Sequence, residues 1–150
     1  MSEHVLRSHN KTLLLYHIVC PAKYRKKVFG KEVVETLKET CRELGEAYEI
    51  HFVEIGADEN HVHFMVQSIP SLSVSRIVTI VKSITARQIF FFHEEVRKIL
   101  WGGKFWTSGY YANTVGHYAN ERVIQDYVQK QGKTYERIYR GQLKLFDDLV

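Results

Sequence analysis

Cysteine is scarce in this chain: Cys20 and Cys41 are the only two, with no CxxC or zinc-ribbon spacing around them. That argues against a disulfide framework and a cysteine-based zinc site, and leaves reduced cytoplasmic thiols as the simpler reading. Long apolar runs are missing too. Met1-Ser2-Glu3-His4 has no signal core, and Leu13-Leu14-Leu15-Tyr16 is far too short to span a bilayer, so nothing points to membrane or export. Gly102-Gly103 reads as a turn, because no GxxxxGKS/T phosphate loop surrounds it. No repeat or low-complexity stretch interrupts the chain. Charge is not extreme either: 21 Lys and Arg stand against 17 Asp and Glu, a net +4 that leans only mildly towards polyanions. What remains is an ordinary globular composition, 45% hydrophobic and 25% charged, over 150 residues. That is most simply one domain with a real core.

Residues 1–10 are polar and expected to be a loosely ordered extension. Residues 12–20, rich in Leu, Ile, Val and Tyr and stopped by Pro21, read as a strand. Val33, Val34, Leu37, Cys41 and Leu44 recur at helical spacing over 31–44, with Gly45 as a plausible stop. A second strand is expected at 48–55. The polar turn 56–60 leads into a third, 61–68, which makes an antiparallel hairpin. Ser73 can cap a long helix with Val74, Ile77, Val78, Val81, Ile84 and Ile89 on its buried side. Arg76, Lys82 and Arg87 then lie on its exposed face, with DNA contact as the lesser reading.

Phe90-Phe91-Phe92, Trp101, Phe105 and Trp106 form an aromatic concentration, expected in the core or at a dimer interface, with base stacking as the alternative. A short last strand follows at 110–115. Asn120 caps a final helix that reaches about Gln131 and stops at Gly132. Residues 133–150 are expected as a further helix packed on a partner, or as a mobile tail. The order β-α-β-β-α-β plus one helix is the ferredoxin-like, split βαβ pattern of an α+β protein. Such a chain makes an antiparallel sheet with its helices on one face.

One stretch stands apart, Asn60-His61-Val62-His63-Phe64-Met65-Val66. Side chains alternate along a strand, so His61 and His63 project together while Val62, Phe64 and Val66 point the other way. Two imidazoles on a rigid strand are half of a divalent-metal site; the plainer reading is two half-exposed surface histidines. Tyr127 and Gln131, four apart, share one face of the final helix. A phenol is a weak nucleophile at neutral pH, since its unperturbed pKa is about 10. It becomes competent at a phosphodiester when a metal polarises the phosphate, and the Gln131 carboxamide oxygen can complete the coordination. Alternatively, Tyr127 simply packs beside Val123, Ile124 and Val128. The basic run Lys23-Tyr24-Arg25-Lys26-Lys27 is either a solvated loop or a grip on single-stranded nucleic acid, charge beside a stacking ring.

Four motifs in order now carry a resemblance. They are Tyr16-His17-Ile18-Val19 with the basic run and Val28-Phe29; Asn60-His61-Val62-His63; Trp106-Thr107-Ser108-Gly109-Tyr110-Tyr111 with Thr114-Val115-Gly116; and Tyr127-Val128-Gln129-Lys130-Gln131. Together, over about residues 12–132, the chain resembles the single-tyrosine, single-strand DNA transposases of the HUH nuclease superfamily. These move the smallest bacterial and archaeal insertion sequences.

The resemblance implies that His61 and His63 are the metal-binding pair, Gln131 the third ligand, and Tyr127 the nucleophile. Attack would leave a 5′-phosphotyrosine link and a free 3′-OH. It implies a homodimer in which the tyrosine helix of one subunit can complete the histidine site of the other. Its DNA partner would be a hairpin near the element end, and the reaction would excise and reinsert a single-stranded circle. The metal would be Mg²⁺ or Mn²⁺; two imidazoles are softer than Mg²⁺ usually prefers, so Mn²⁺ could bind better in the tube. Two alternatives stand beside this reading. One is a domesticated relative acting on dispersed palindromic repeats; the other is a non-catalytic nucleic-acid-binding module, for which ferredoxin-like sheets are also used.

Overall fold

A computed structural model describes residues 4–7, 10–115 and 134–137. Five strands form one antiparallel sheet: β3 (Leu14–Pro21), β4 (His51–Ala57), β5 (His61–Ser68), β6 (Tyr111–Thr114) and β7 (Thr134–Arg137). Their spatial order is β6-β3-β5-β4-β7. With helices α1 (Lys31–Tyr48) and α2 (Val74–Phe92) inserted between strands, the chain runs β3-α1-β4-β5-α2-β6. The α+β, ferredoxin-like expectation is therefore met, with β3 and β5 paired at the centre.

The helices cover one face. Val33, Val34, Leu37, Cys41 and Leu44 of α1 and Ile77, Val78, Ile80, Val81 and Ile89 of α2 share a core with Ile18, Phe52, Ile55, Val62, Phe64 and Val66 of the sheet. Aromatic edges tie it together: Phe52 meets Phe64 at 6.0 Å between centroids, and Phe105 meets Trp106 at 4.7 Å. Such pairs add about 0.5–1.5 kcal/mol each beyond the area they bury. Ser73 caps α2 as expected, its Oγ accepting from the Arg76 N–H at 3.0 Å. Cys20 and Cys41 are both buried and free. Burial pushes the Cys20 thiol up to about 12, with Lys82 opposing, and raises Cys41 as well.

Several boundaries differ from the sequence reading. Gly45 does not stop α1; it is buried within the helix, which ends a turn later at Glu49 in the left-handed region (φ 58°). A helical glycine costs about 1 kcal/mol relative to alanine, less than the apolar face of this long helix returns. The second strand accordingly starts at His51. A short helix α3 (Glu94–Ile99) follows α2, which the aromatic run had hidden. In the expected loose extension, β1 (Val5–Arg7) pairs with β2 (Asn10–Thr12). Within 133–150, residues 134–137 form neither helix nor tail; they are an edge strand against β4. The expected helix over 120–131 lies outside the described residues. Among those described, no helix is long and apolar enough to cross a membrane.

Candidate active site

The sheet's other face carries the polar side chains. Opposite the apolar cluster, β5 presents His61, His63, Met65 and Gln67, and β3 presents Leu15, His17 and Val19. His61 is half-buried and His63 almost wholly buried, so the plainer reading of a half-exposed pair does not describe His63. Their rings lie 4.9 Å apart, edge to face at 70°.

β4 contributes through a bulge. Phe52 pairs with Val66 and Glu54 with Met65, so Val53 is an extra residue that resets the alternation. Without it Glu54 would point into the apolar core; with it, Glu54 and Gly56 share the histidine face. Glu54 is fully buried there. Gly56 pairs with His63, so β4 places no side chain opposite that imidazole.

A hydrogen-bond chain enters the site from the side. His17 Nδ1–H donates to Asn113 Oδ1 of β6 at 3.2 Å, and His17 Nε2 meets His63 Nδ1 at 2.9 Å. The His17 and His63 rings are nearly parallel, 6° apart. Burial lowers the His17 pKa from its ordinary 6.5, the Asn113 bond opposing, which keeps the ring neutral at pH 7. On the other histidine, Nδ1–H donates to Asn60 Oδ1 at 2.7 Å. Two imidazole nitrogens on one strand suit a divalent cation. Among the described residues, however, no cluster of three or more His, Cys, Asp or Glu is arranged to hold a metal. The pair alone would supply two donors. Tyr127 and Gln131, expected to complete it, lie outside the described residues.

The basic run leaves β3 beside this end of the sheet, where Pro21 pairs with His61. Ala22 N–H donates to Asn60 O at 2.9 Å and Lys23 N–H to Phe105 O at 2.7 Å. Tyr24 and Arg25 sit in a short 3-10 turn with φ of 59° and 54°, an uncommon conformation for non-glycine residues. The turn holds Tyr24 outward, 52% exposed, stacked on Trp101, itself 72% exposed, with centroids 6.0 Å apart. Lys23 Nζ lies 5.3 Å from the Tyr24 ring centre.

The aromatic concentration thus divides: Phe105 and Trp106 are core, while Phe91, Phe92 and Trp101 are exposed. Lys82, expected on a plain solvent-facing surface, is half-buried. Its Nζ donates to Thr107 O and Gly109 O, both at 2.8 Å, pinning the loop that leads to β6. Burial lowers its pKa, with Cys20 opposing.

Residues 10–131 match the family described as IS200-like transposases. The chain belongs to that family. Its members are DNA-cleaving and strand-transferring proteins as a class. This IS200-like chain is 29% identical over 119 residues to the ISDra2 transposase TnpA of Deinococcus radiodurans, spanning 79% of this chain and 84% of that one. It is 28% identical over 124 residues to the transposase for insertion sequence element IS200 of Salmonella typhimurium, 83% of this chain and 80% of its relative.

A crystal structure described as a transposase from Deinococcus radiodurans R1 matches with a TM-score of 0.67 at 26% identity, covering 85% of this chain and 97% of that one. A REP-associated tyrosine transposase bound to a REP hairpin shares the fold, with a TM-score of 0.51 at 10% identity and coverage of 93% and 74%. The family match takes in His61, His63, Tyr127 and Gln131.

Sequence reasoning did not single out Asn113 or Glu54, quoted His17 only within a motif and without a role, and gave surface stacking at Trp101 only as the alternative to core or dimer interface. Only His17 left a signal, a polar residue at the alternate position of an apolar strand.

Proposed function

We propose that this IS200-like transposase cuts and rejoins single-stranded DNA at insertion-sequence ends, with Tyr127 as the nucleophile. His61, His63 and Gln131 would hold Mg²⁺ or Mn²⁺. The observation that carries the reading is the imidazole pair on one face of β5, rings 4.9 Å apart, within a chain of this family. Bound there, a divalent ion would polarise the scissile phosphate and stabilise the charge that develops on it.

The Tyr127 oxygen attacks phosphorus and gives up its proton. The bond from phosphorus to the 3′ oxygen breaks, that oxygen takes a proton, and the 5′ phosphate remains joined to tyrosine. The link conserves a phosphodiester, so rejoining by a 3′-OH needs no nucleotide hydrolysis. The proposed DNA is a hairpin near the element end, a shape that the same fold holds in the REP-associated protein. A homodimer in the cytoplasm would do the work, the tyrosine helix of one subunit completing the histidine site of the other. Lys23, Tyr24, Arg25, Lys26 and Lys27, with Trp101, offer exposed positive charge beside a stacked ring pair, which suits single-stranded DNA.

The test is a covalent-adduct gel with protein and its Tyr127→Phe variant, DNA from the ends flanking the gene, and Mg²⁺, Mn²⁺ or chelator. A metal-dependent, protein-linked band that vanishes in the variant is expected. An adduct that persists in Tyr127→Phe assigns the attack to another tyrosine. Hairpin binding with no adduct under any metal would make the chain a binding module.

A further inference from the structure

His17 is 1% exposed and stands opposite Met65, two residues along β5 from His63. Both of its ring nitrogens are engaged, Nδ1 with Asn113 Oδ1 at 3.2 Å and Nε2 with His63 Nδ1 at 2.9 Å. A carbonyl oxygen only accepts, so the hydrogen on His17 Nδ1 points at Asn113. A neutral imidazole carries one N–H, which makes His17 Nε2 an acceptor. The hydrogen in the 2.9 Å contact must therefore belong to His63 Nδ1. His63 is left with its ring lone pair on Nε2. On His61, too, the hydrogen bond places the hydrogen on Nδ1, which donates to Asn60 Oδ1 at 2.7 Å.

We infer that Asn113 and His17 form a relay that fixes the tautomer and ring angle of His63, so that both histidines offer Nε2 to a divalent metal. His17 is thus a positioning residue, acting through His63. The inference rests on reading His61 and His63 as metal ligands, and extends it to two residues on neighbouring strands. Outer partners of this kind hold ligand rings at the right angle and raise their basicity. Three strands are needed to build the relay: β6 holds Asn113, β3 holds His17 and β5 holds His63, in the register His17↔Asn113 and His17↔Met65. A merely space-filling ring at position 17 would need neither hydrogen bond.

Two substitutions separate these roles. His17→Phe keeps a flat ring but no nitrogen. His17→Gln keeps an oxygen to accept from His63 Nδ1–H and an amide to donate to Asn113 Oδ1. Nitrogen-15 NMR of the histidine rings, in metal-free protein without DNA, reads the tautomer directly; Mn²⁺ titration followed by electron paramagnetic resonance reads affinity.

The wild type should show His63 with its hydrogen on Nδ1. His17→Phe should move it towards Nε2 and weaken Mn²⁺ binding by roughly 10–100-fold, and His17→Gln should restore most of both. A wild-type His63 protonated on Nε2 overturns the relay, whatever the variants do. So does a His17→Phe protein with unchanged tautomer and Mn²⁺ affinity. The expected tautomer without any Mn²⁺ binding by the wild type would instead overturn the metal reading of the pair, and the relay's purpose with it.

Discussion

Both faces of the sheet bury residues at their centre, and the two are differently made. On one, Ile18, Ile55, Val62, Phe64 and Val66 meet two helices in a continuous apolar cluster. On the other, His17, Glu54, His63 and Gln67 are each no more than 3% exposed, with only Leu15 and Met65 of the central strands as comparably buried aliphatic neighbours. Burying aliphatic groups is favourable in itself, whereas burying polar groups costs unless each is hydrogen-bonded. On the second, hydrogen bonds orient His17, His61 and His63, which is what the proposed reacting centre requires. Burial alone therefore does not separate core from candidate site in this protein; the kind of group buried does.

Adjacent residues give the sharpest way to break that comparison. Phe64→Ala empties the apolar side and should cost about 3–5 kcal/mol of stability by denaturant titration, a large part of the roughly 5–15 kcal/mol a domain possesses. His63→Ala, one residue earlier, should abolish metal-dependent cleavage while shifting the unfolding midpoint less than Phe64→Ala does. If both variants lose stability equally, the histidine face is simply a second core. Cleavage that continues in His63→Ala, or in chelator-treated wild type, removes the metal from the reaction.

A smaller effect is expected at the strand ends. Trp101 is largely exposed and stacked on Tyr24, so it contributes little to the core. A base stacked on an aromatic ring is worth about 1–3 kcal/mol, hence Trp101→Ala should weaken single-stranded DNA binding by roughly 5- to 150-fold, at 1.4 kcal/mol per tenfold. Its unfolding midpoint should stay near the wild type. Unchanged affinity would return the 23–27 segment to the status of a solvated loop.

Much of this was legible in the sequence because the signals were local. Helical spacing of Val33, Leu37, Cys41 and Leu44, the Ser73 cap and the alternation around His61 and His63 each need only a few neighbouring residues. What escaped needs register or a third strand. The bulge at Val53, which turns Glu54 from the core to the histidine face, follows from how β4 pairs with β5 and leaves no composition signal. Asn113 and His17 are 96 positions apart and meet only because β6 pairs with β3. Trp101 looked like core by type; its exposure depends on where the glycine turn, with φ of 97° at Gly102 and 80° at Gly103, carries the chain. The edge strand at 134–137 has little hydrophobic pattern, and the pairing that makes it a strand comes from β4.

The smallest effect concerns the far end of the histidine face. His51 opens β4 opposite Gln67, four residues along β5 from His63, and so belongs to the same face. Burial lowers its pKa from the ordinary 6.5, and Glu49 opposes. Unfolding restores the ordinary value, so below it the unfolded chain binds more protons than the folded one. The stability involved is fully present above about pH 6.5 and is lost as pH falls towards the lower, folded value; His17, shifted the same way, adds with the same sign. Chelator-treated protein should therefore unfold at lower denaturant at about pH 5.5 than at about pH 7.5, and His51→Gln should flatten only its part of that slope. Since His51 is half-buried, its share is the more screened by solvent. The apolar face supplies the control: Phe64→Ala lowers the whole curve without changing its slope with pH. A slope that disappeared in Phe64→Ala but survived in His51→Gln would mean that the pH sensitivity lies outside the histidine face, and the division of labour between the two sides of the sheet would fail.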